Sequence, residues 1–144
     1  MPEEVEKVAI VYWCDGAGHA ARSIPVAQEL ESRGVDVTMA GGGQGKRFVE
    51  MNGYDHPGLT KVAVKGRTPL SFLRHTLFDL VPSSVRRLVE VNRWLKEEDP
   101  DLLVTDDVFA GTAATAQGVD FYRIDHVMTD QCVSSRSVMT WSIL

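Results

Sequence analysis

The stretch "VAIVYWCDGAGHAARSIPVAQEL", residues 8–30, contains the transition that decides the fold. The continuous β-rich run at residues 8–13 predicts a strand buried on both faces. A polar corner with two glycines follows, and Ala20, Ile24, Ala27 and Leu30 then recur at helical spacing. A strand, a glycine corner and a helix in this order are typical of the first β–α unit of a parallel sheet.

The same alternation continues along the chain. We predict further strands at residues 35–40, 61–64, 99–106 and 119–124, and helices at residues 46–51, 108–117 and between Pro69 and Pro82. Another helix is expected to start at Ser83 or Ser84 and to end near Glu98. Because proline is tolerated only in a first turn, we expect Ser23 to cap the helix that contains Pro25.

This pattern predicts the fold class: α/β, a doubly wound parallel sheet of the Rossmann-like type, forming one domain over residues 1–144. With strand order 3-2-1-4-5, the first and fourth strands are neighbours, and their carboxyl ends share the crevice where ligands bind. His19 follows the first strand and Asp106 follows the fourth. We therefore expect the two side chains to meet, although Asp107 competes with Asp106 for this position or for capping the next helix.

Composition excludes several classes of protein. The 144 residues are 44% hydrophobic and 24% charged, which is typical of a soluble globular domain. No apolar run approaches the ~20 residues of a membrane-spanning helix. Two distant cysteines, Cys14 and Cys132, make no disulfide framework or metal site, so we expect a cytoplasmic protein without a metal. The net charge of −5 argues against general nucleic-acid binding.

Positive charge is concentrated at residues 61–96, which carry eight Lys or Arg residues and two acids, a net charge of +6. An apolar stripe of helical spacing lies in the same segment, with two phenylalanines beside it: Leu70, Leu73, Leu77, Leu80 and Val81, flanked by Phe72 and Phe78. Together they match an interfacial helix that binds anionic lipid. The alternative is that the stripe packs on the sheet. The expected membrane-facing residues are Phe72, Arg74, Phe78, Arg86 and Arg87.

Two motifs invite nucleotide-binding interpretations. Residues 16–21 fit the dinucleotide pattern G-x-G-x-x-A, but the second strand ends at Ala40 and Gly41, where an acid should hold the ribose. Residues 40–47, "AGGGQGKR", nearly match a phosphate loop, but Arg47 replaces the Ser or Thr that should bind magnesium. Neither match is complete. A small nucleotide- or dinucleotide-binding module without transferase activity remains the alternative function.

Two segments carry a resemblance to a known family. "GAGHAARSIPVAQELESRGVDVTMAGGG", residues 16–43, resembles the start of GT-B-fold glycosyltransferases, in particular the MurG-like, archaeal and bacterial group with the pattern G-x-G-H-x-x-R-S. "DPDLLVTDDVFAGTAATAQGVDFYRIDH", residues 99–126, resembles a later strand–helix–strand unit of the same domain. The sequence departs from the family at Arg22, which stands where many relatives have proline, and Pro25 is displaced. This places the chain outside the plant-type and MurG-type subgroups, so their acceptors cannot be transferred to it.

The resemblance implies a glycosyltransferase that uses a nucleotide sugar as co-substrate. His19 would be the general base, and Asp106 would fix its tautomer. At the same edge we assign acceptor- or phosphate-binding roles to a further set of residues: Gly16, Gly18, Arg22, Gly42, Gly43 and His126. We expect no cofactor beyond the co-substrate.

In the family the second Rossmann-like domain binds the donor, and this sequence contains nothing that corresponds to it. We therefore expect the acceptor-side half of a GT-B fold, truncated or one subunit of a split enzyme. Its partners would be a donor domain or subunit and a glycosyl acceptor, which could be lipid-linked at the inner face of the membrane. Alone, the chain should be inactive and should show no saturable binding of nucleotide sugars.

Overall fold

The computed structural model describes residues 4–15, 17–54, 58–63, 65–125, 134–135 and 138–142. The strands are β1 (Lys7–Val11), β2 (Asp36–Ala40), β3 (Leu102–Thr105), β4 (Asp120–Asp125), β5 (Ser134–Ser135) and β6 (Val138–Ser142). The α-helices are α1 (Gly18–Ser32), α2 (Gly45–Met51), α3 (Pro69–His75), α4 (Val81–Glu98) and α5 (Val108–Gln117), and a π-helical turn at Thr76–Leu80 joins α3 to α4.

The strands form one sheet in the order β2-β1-β3-β4-β6-β5. All neighbours are parallel except β5 and β6. Val11, the last residue of β1, pairs with Ala40 on β2 and with Thr105 on β3, so these three strands end at one level. The predicted doubly wound, Rossmann-like α/β fold is confirmed, and its crevice lies at this carboxyl edge.

Helices cover both faces of the sheet. On one face, Val91 and Leu95 of α4 and residues of α5 pack over Ala9, Val11 and Leu103. On the other face, α1 and α2 pack over Val8 and Ile10. The alternating residues of β1 thus face two separate apolar clusters, which explains why the strand reads as a continuous apolar run.

The predicted start of the first helix is wrong. Helix α1 begins at Gly18, with Pro25 inside it. Ser23 is no N-cap: it is buried, and its Oγ donates a hydrogen bond to the carbonyl of His19 at 3.0 Å. The proline removes one backbone hydrogen bond, but the apolar face that includes Ile24 packs on the sheet and maintains the helix.

The strand predicted at residues 61–64 is also wrong over its described part, residues 61–63. Side chains from the neighbouring helices bind the backbone at residues 60 and 63 instead. Thr60 N–H donates to Glu90, Thr60 C=O accepts from Arg87, and Ala63 C=O accepts from His75. Just before this segment, Gly58 forms an isolated parallel bridge with Gly41, which directly follows β2.

The helix break predicted at Pro82 does not occur. Helix α3 starts with a capping box between Thr68 and Ser71, and the helical run continues through the π-turn into α4. The π-turn ends two residues before Pro82, which has no N–H to offer a regular α-helical bond. Ser83 does not cap a new helix; its Oγ donates to the carbonyl of Leu80 at 3.2 Å.

Candidate functional site at the carboxyl edge of the sheet

Two adjacent strands bring a histidine and an aspartate together. His19 lies in the first turn of α1, after the corner that follows β1. Asp106 directly follows β3, which pairs with β1. The Nδ1 atom of His19 is 2.5 Å from Oδ2 of Asp106. The two residues are 87 positions apart in the chain, and the sheet topology alone makes them neighbours.

The pair is asymmetric in exposure and in hydrogen bonding. The Asp106 side chain is 5% exposed and the His19 side chain is 23% exposed, so the imidazole is the member nearer to solvent. An ionised carboxylate only accepts hydrogen bonds, which assigns the proton to Nδ1 and the basic lone pair of a neutral imidazole to Nε2. The other carboxylate oxygen, Oδ1, accepts from the backbone N–H of Trp13 at 2.7 Å. Asp106 is therefore held from two sides.

The second aspartate, Asp107, has a different role. Its side chain accepts from the backbone N–H of Phe109 and so caps α5. It also binds the guanidinium of Arg87, through Nε at 2.9 Å and Nη2 at 2.6 Å. Burial raises the pKa of the Asp107 carboxyl, and the charge and hydrogen bonds of Arg87 oppose that shift.

Trp13 binds Asp106 through its backbone, and its half-buried side chain packs against two neighbours. Its ring stacks on Phe109 with centroids 6.1 Å apart, and the guanidinium carbon of Arg87 lies 5.2 Å from its ring centroid. The backbone N–H of the same residue donates the hydrogen bond to Asp106, so one residue provides both the aromatic ring and this hydrogen bond. Such a rigid aromatic surface is suited to contact with an organic substrate.

The remaining residues assigned to acceptor or phosphate binding lie in different settings. Gly16 and His126 are outside the described residues. Gly18 is the first residue of α1, and a Cβ added there would meet nothing within 4 Å. Arg22 is exposed one turn after His19. Gly18 and Arg22 thus lie beside the histidine–aspartate pair, as their place in the sequence implied.

Gly42 and Gly43 lie in a loop that the protein itself fills. A Cβ at Gly42 would be 2.6 Å from the carbonyl oxygen of Leu59, and one at Gly43 would be 2.2 Å from that of Cys14. Gly43 also has φ of +63°. Close approach of the chain's own backbone explains these glycines without a phosphate.

The helical segment of α3, the π-turn and α4 exposes its apolar stripe. Leu70 is 77% exposed and Phe78 is 74% exposed, and other large apolar side chains of the segment are exposed as well: Phe72, Leu73, Leu77, Val81, Val85 and Val89. Arg74 and Arg86 are exposed beside them. The expectation for Arg87 is wrong, because this side chain is completely buried against Asp107.

Sequence reasoning missed the partner of Arg87. Both arginines belong to the positively charged segment at residues 61–96, so composition does not distinguish Arg87 from Arg86. In the structure Arg86 binds Glu90 one turn along the helix, whereas Arg87 binds Asp107 in the core. The signal that could have found it is helical phase, which places Arg87 four residues before the buried Val91.

Neither a metal centre nor a membrane span is present in the part of the chain that the structure describes. No group of three or more His, Cys, Asp or Glu residues converges there on a common point. None of the described helices combines the length and the apolar character that crossing a bilayer requires.

Comparison of the sequence with protein-family models and with curated proteins finds no match. Comparison with solved structures finds similar folds. MurG of Acinetobacter baumannii is 15% identical with a TM-score of 0.60, over 83% of this chain and 34% of that one. The spinosyn forosaminyltransferase SpnP is 19% identical with a TM-score of 0.63, over 84% and 31%. The UDP-GlcNAc 2-epimerase of Methanocaldococcus jannaschii is 17% identical with a TM-score of 0.56, over 82% and 31%.

These similarities show the fold: a Rossmann-like domain of the kind found in GT-B proteins. The chain spans about a third of the length of the enzymes it resembles. Because both transferases and an epimerase share this fold, the fold alone does not select the reaction. Membership of the group with the pattern G-x-G-H-x-x-R-S stays a prediction.

Proposed function

We propose that this chain is the acceptor-binding half of a glycosyltransferase and that His19 is its general base. The observation that carries the proposal is the contact between His19 and Asp106 at the carboxyl ends of two adjacent strands. Ligands bind at this edge in doubly wound sheets. A histidine oriented by a buried carboxylate is suited to removing a proton near neutral pH.

The chemistry follows from the assigned tautomer. Nε2 of His19 removes the proton of an acceptor hydroxyl as that oxygen bonds to the anomeric carbon of the donor sugar. The bond from this carbon to the nucleoside diphosphate breaks, and the diphosphate leaves with the electron pair. Asp106 stabilises the imidazolium that forms and keeps Nδ1 as the donor. Gly18 and Arg22 would line the acceptor side, and a second domain would bind the nucleotide sugar.

The test is a transfer assay on the native protein, purified together with the donor-binding domain that accompanies it. Radiolabelled UDP-, GDP- and dTDP-sugars are supplied with detergent-dispersed membrane lipid, and label in the lipid fraction is counted. His19→Gln should lower the transfer rate by about 10²–10⁴, because it removes proton transfer. Asp106→Asn should lower it less, since the base itself remains.

The chain offers a control on the same helix as His19. Glu29 is exposed near the carboxyl-terminal end of α1, at the end of the helix away from His19. Glu29→Gln should leave transfer within about threefold of wild type, as expected of a surface change outside the site. Near-normal transfer by His19→Gln would refute the base assignment. Epimerised nucleotide sugar without transfer, or saturable nucleotide binding by this chain alone, would favour the competing functions.

We further propose that the acceptor is lipid-linked and that the face formed by α3, the π-turn and α4 rests on the bilayer. Its large apolar side chains are exposed, and Arg74 and Arg86 stand beside them. Ser71, Arg74, His75, Phe78 and Asp79 also line a groove of about 420 Å³ on this face. Exposed apolar area flanked by arginine is suited to a surface of anionic lipid, which would place the chain peripherally on a membrane.

Vesicle sedimentation tests the membrane proposal. The chain should sediment with vesicles that contain phosphatidylglycerol and not with phosphatidylcholine alone, and salt should weaken the binding. Arg74→Glu/Arg86→Glu should bind at least about tenfold more weakly, because each arginine near the surface contributes about 1 kcal/mol. The charge-matched control is Arg33→Glu/Arg47→Glu, at exposed positions of other elements. Equal weakening by both pairs, or no sedimentation at low salt, would remove the lipid acceptor.

A further inference from the structure

A buried arginine joins the two strand ends that carry the histidine–aspartate pair. Arg87 of α4 and Asp107 are both completely buried. Nε and Nη2 of Arg87 converge on the same oxygen, Oδ2 of Asp107, while Oδ1 of Asp107 caps α5 through the N–H of Phe109. The guanidinium is therefore fixed to the residue that immediately follows Asp106.

The same guanidinium reaches the end of β1. Nη2 donates to the carbonyl of Tyr12 at 3.4 Å, and the guanidinium carbon lies 5.2 Å from the Trp13 ring centroid. Nη1 donates to the carbonyl of Thr60 at 3.0 Å. Arg87 thus contacts residues that follow β1 and residues that follow β3. The hydrogen bond from Trp13 N–H to Asp106 joins the same two strand ends.

Hydrogen bonds along the chain transmit this constraint to Asp106. Thr105 Oγ1 donates to the carbonyl of Val11 at 2.7 Å and accepts from the N–H of Asp107 at 2.9 Å. Asp106 is held between Thr105 and Asp107, both of which are tied to the end of β1. The backbone on both sides of Asp106 is therefore tied to the neighbouring strand end.

Stability alone does not account for such a pair. A buried ion pair loses about as much in desolvation as it gains in attraction, and apolar residues of similar size often replace it without loss of stability. What an apolar pair cannot do is bind Asp107, Tyr12 and Thr60 at fixed angles at the same time. The planar guanidinium with five N–H donors can.

We propose that Arg87 is a positioning residue for the His19–Asp106 pair. By holding the ends of β1 and β3 at a fixed separation, it keeps Asp106 bound to Nδ1 of His19, so that Nε2 is the basic atom. This inference rests on the proposed function, because the positioned atom is the proposed base.

The test reads the tautomer of His19 directly in the full chain. With ¹⁵N-labelled histidine, the ring-nitrogen shifts at a pH where the imidazole is neutral report whether Nδ1 or Nε2 carries the proton. The wild type should show the Nδ1-protonated form at His19, assigned by loss of its signals in His19→Gln. Asp106→Asn should raise the Nε2-protonated fraction, which tests the histidine–aspartate pair independently of Arg87.

Two substitutions test Arg87 itself. Arg87→Met/Asp107→Asn removes both charges and keeps an asparagine cap on α5, so that no buried charge is left unpaired. Arg87→Lys keeps the charge and loses the planar donor set. Both should raise the Nε2-protonated fraction of His19, and in the transfer assay both should lower kcat by about tenfold or more with little change in KM.

The control is Arg93→Met, at an exposed position of the same helix α4, which should change neither the His19 tautomer nor kcat. A folded double variant with the wild-type His19 tautomer would overturn the inference, even if Asp106→Asn behaves as expected. If both Arg87 variants fail to fold, as judged by near-UV circular dichroism, the pair is a stability element and the inference is likewise overturned. If Asp106→Asn leaves the tautomer unchanged, the pair itself is refuted, and with it the proposed base.

Discussion

The loops after β1 and β2 both bear glycines at the carboxyl edge of the sheet, yet the space around those glycines differs. In the β2–α2 loop, a Cβ at Gly41 would lie 2.2 Å from the ring of Tyr12, and one at Gly43 would lie 2.2 Å from the carbonyl oxygen of Cys14. In the β1–α1 corner, a Cβ at Gly18 would meet nothing within 4 Å.

The difference shows why a glycine-rich motif does not by itself identify a phosphate loop. The segment "GGGQG" matches such a loop in composition, but its glycines allow the chain to pack against itself. At Gly18 no packing contact requires glycine, and the neighbouring side chain is His19. The corner with fewer glycines is therefore the better candidate for ligand approach.

The largest effect is expected at Gly43. Gly43→Ala should lower the free energy of unfolding by about 2–4 kcal/mol, since it combines a positive φ with overlap of the Cys14 carbonyl. Urea unfolding measures the change. Gly53→Ala is the matched control: φ there is +90° but a Cβ would meet nothing within 4 Å, so about 1–2 kcal/mol is expected. Equal losses would show that the contact with Cys14 adds nothing.

A smaller and pH-dependent effect is expected at Glu90, which binds the segment that covers the β2–α2 loop. Burial alone would raise the pKa of Glu90, but hydrogen bonds from Thr60 and Arg86 outweigh it and lower the pKa. A carboxyl whose pKa is lower in the folded state stabilises the fold above its unfolded pKa, and that stability is lost as pH falls through the folded pKa.

Glu90→Gln should therefore lower the free energy of unfolding by about 1 kcal/mol at pH 7, a value that allows for the partial exposure of the side chain. The difference from wild type should shrink as the pH falls below about 4.5, where the carboxyl of the unfolded chain becomes protonated. Urea unfolding at several pH values measures it, and Glu97→Gln, at an exposed position of the same helix, is the control. A difference that stays constant down to pH 3 would contradict the assignment.

The sequence was sufficient where a signal is local or topological. The apolar run of β1 and the alanine-rich α5 were predicted with bounds close to those observed. The meeting of His19 and Asp106 followed from one topological rule, because parallel neighbours end at the same edge of a sheet. No local interaction between the two residues was needed to expect it.

The sequence was insufficient where side chains from distant elements decide the backbone. Residues 61–63 have strand-like composition, but Glu90 and Arg87 bind the backbone of Thr60 just before them and His75 binds that of Ala63. Arg87 itself is buried by Asp107, which lies 20 positions later. Contacts of this kind depend on how α4 packs against the sheet. The hydropathy and helix propensity of the residues involved do not specify that packing.

The smallest effect is expected at Gly18. Gly18→Ala should change the free energy of unfolding by no more than about 0.5 kcal/mol, because the added methyl group meets open space and φ is not positive. In the transfer assay the same change should raise the KM for the acceptor, since the methyl group would occupy space beside His19, while kcat stays close to wild type. A loss of more than about 1 kcal/mol would show that this corner is as filled as the β2–α2 loop, and the contrast between the two loops would disappear. Unchanged stability with an unchanged KM would preserve the contrast between the loops but would remove Gly18 from the acceptor site. The acceptor would then have to reach His19 from the side on which Trp13 and Arg22 lie.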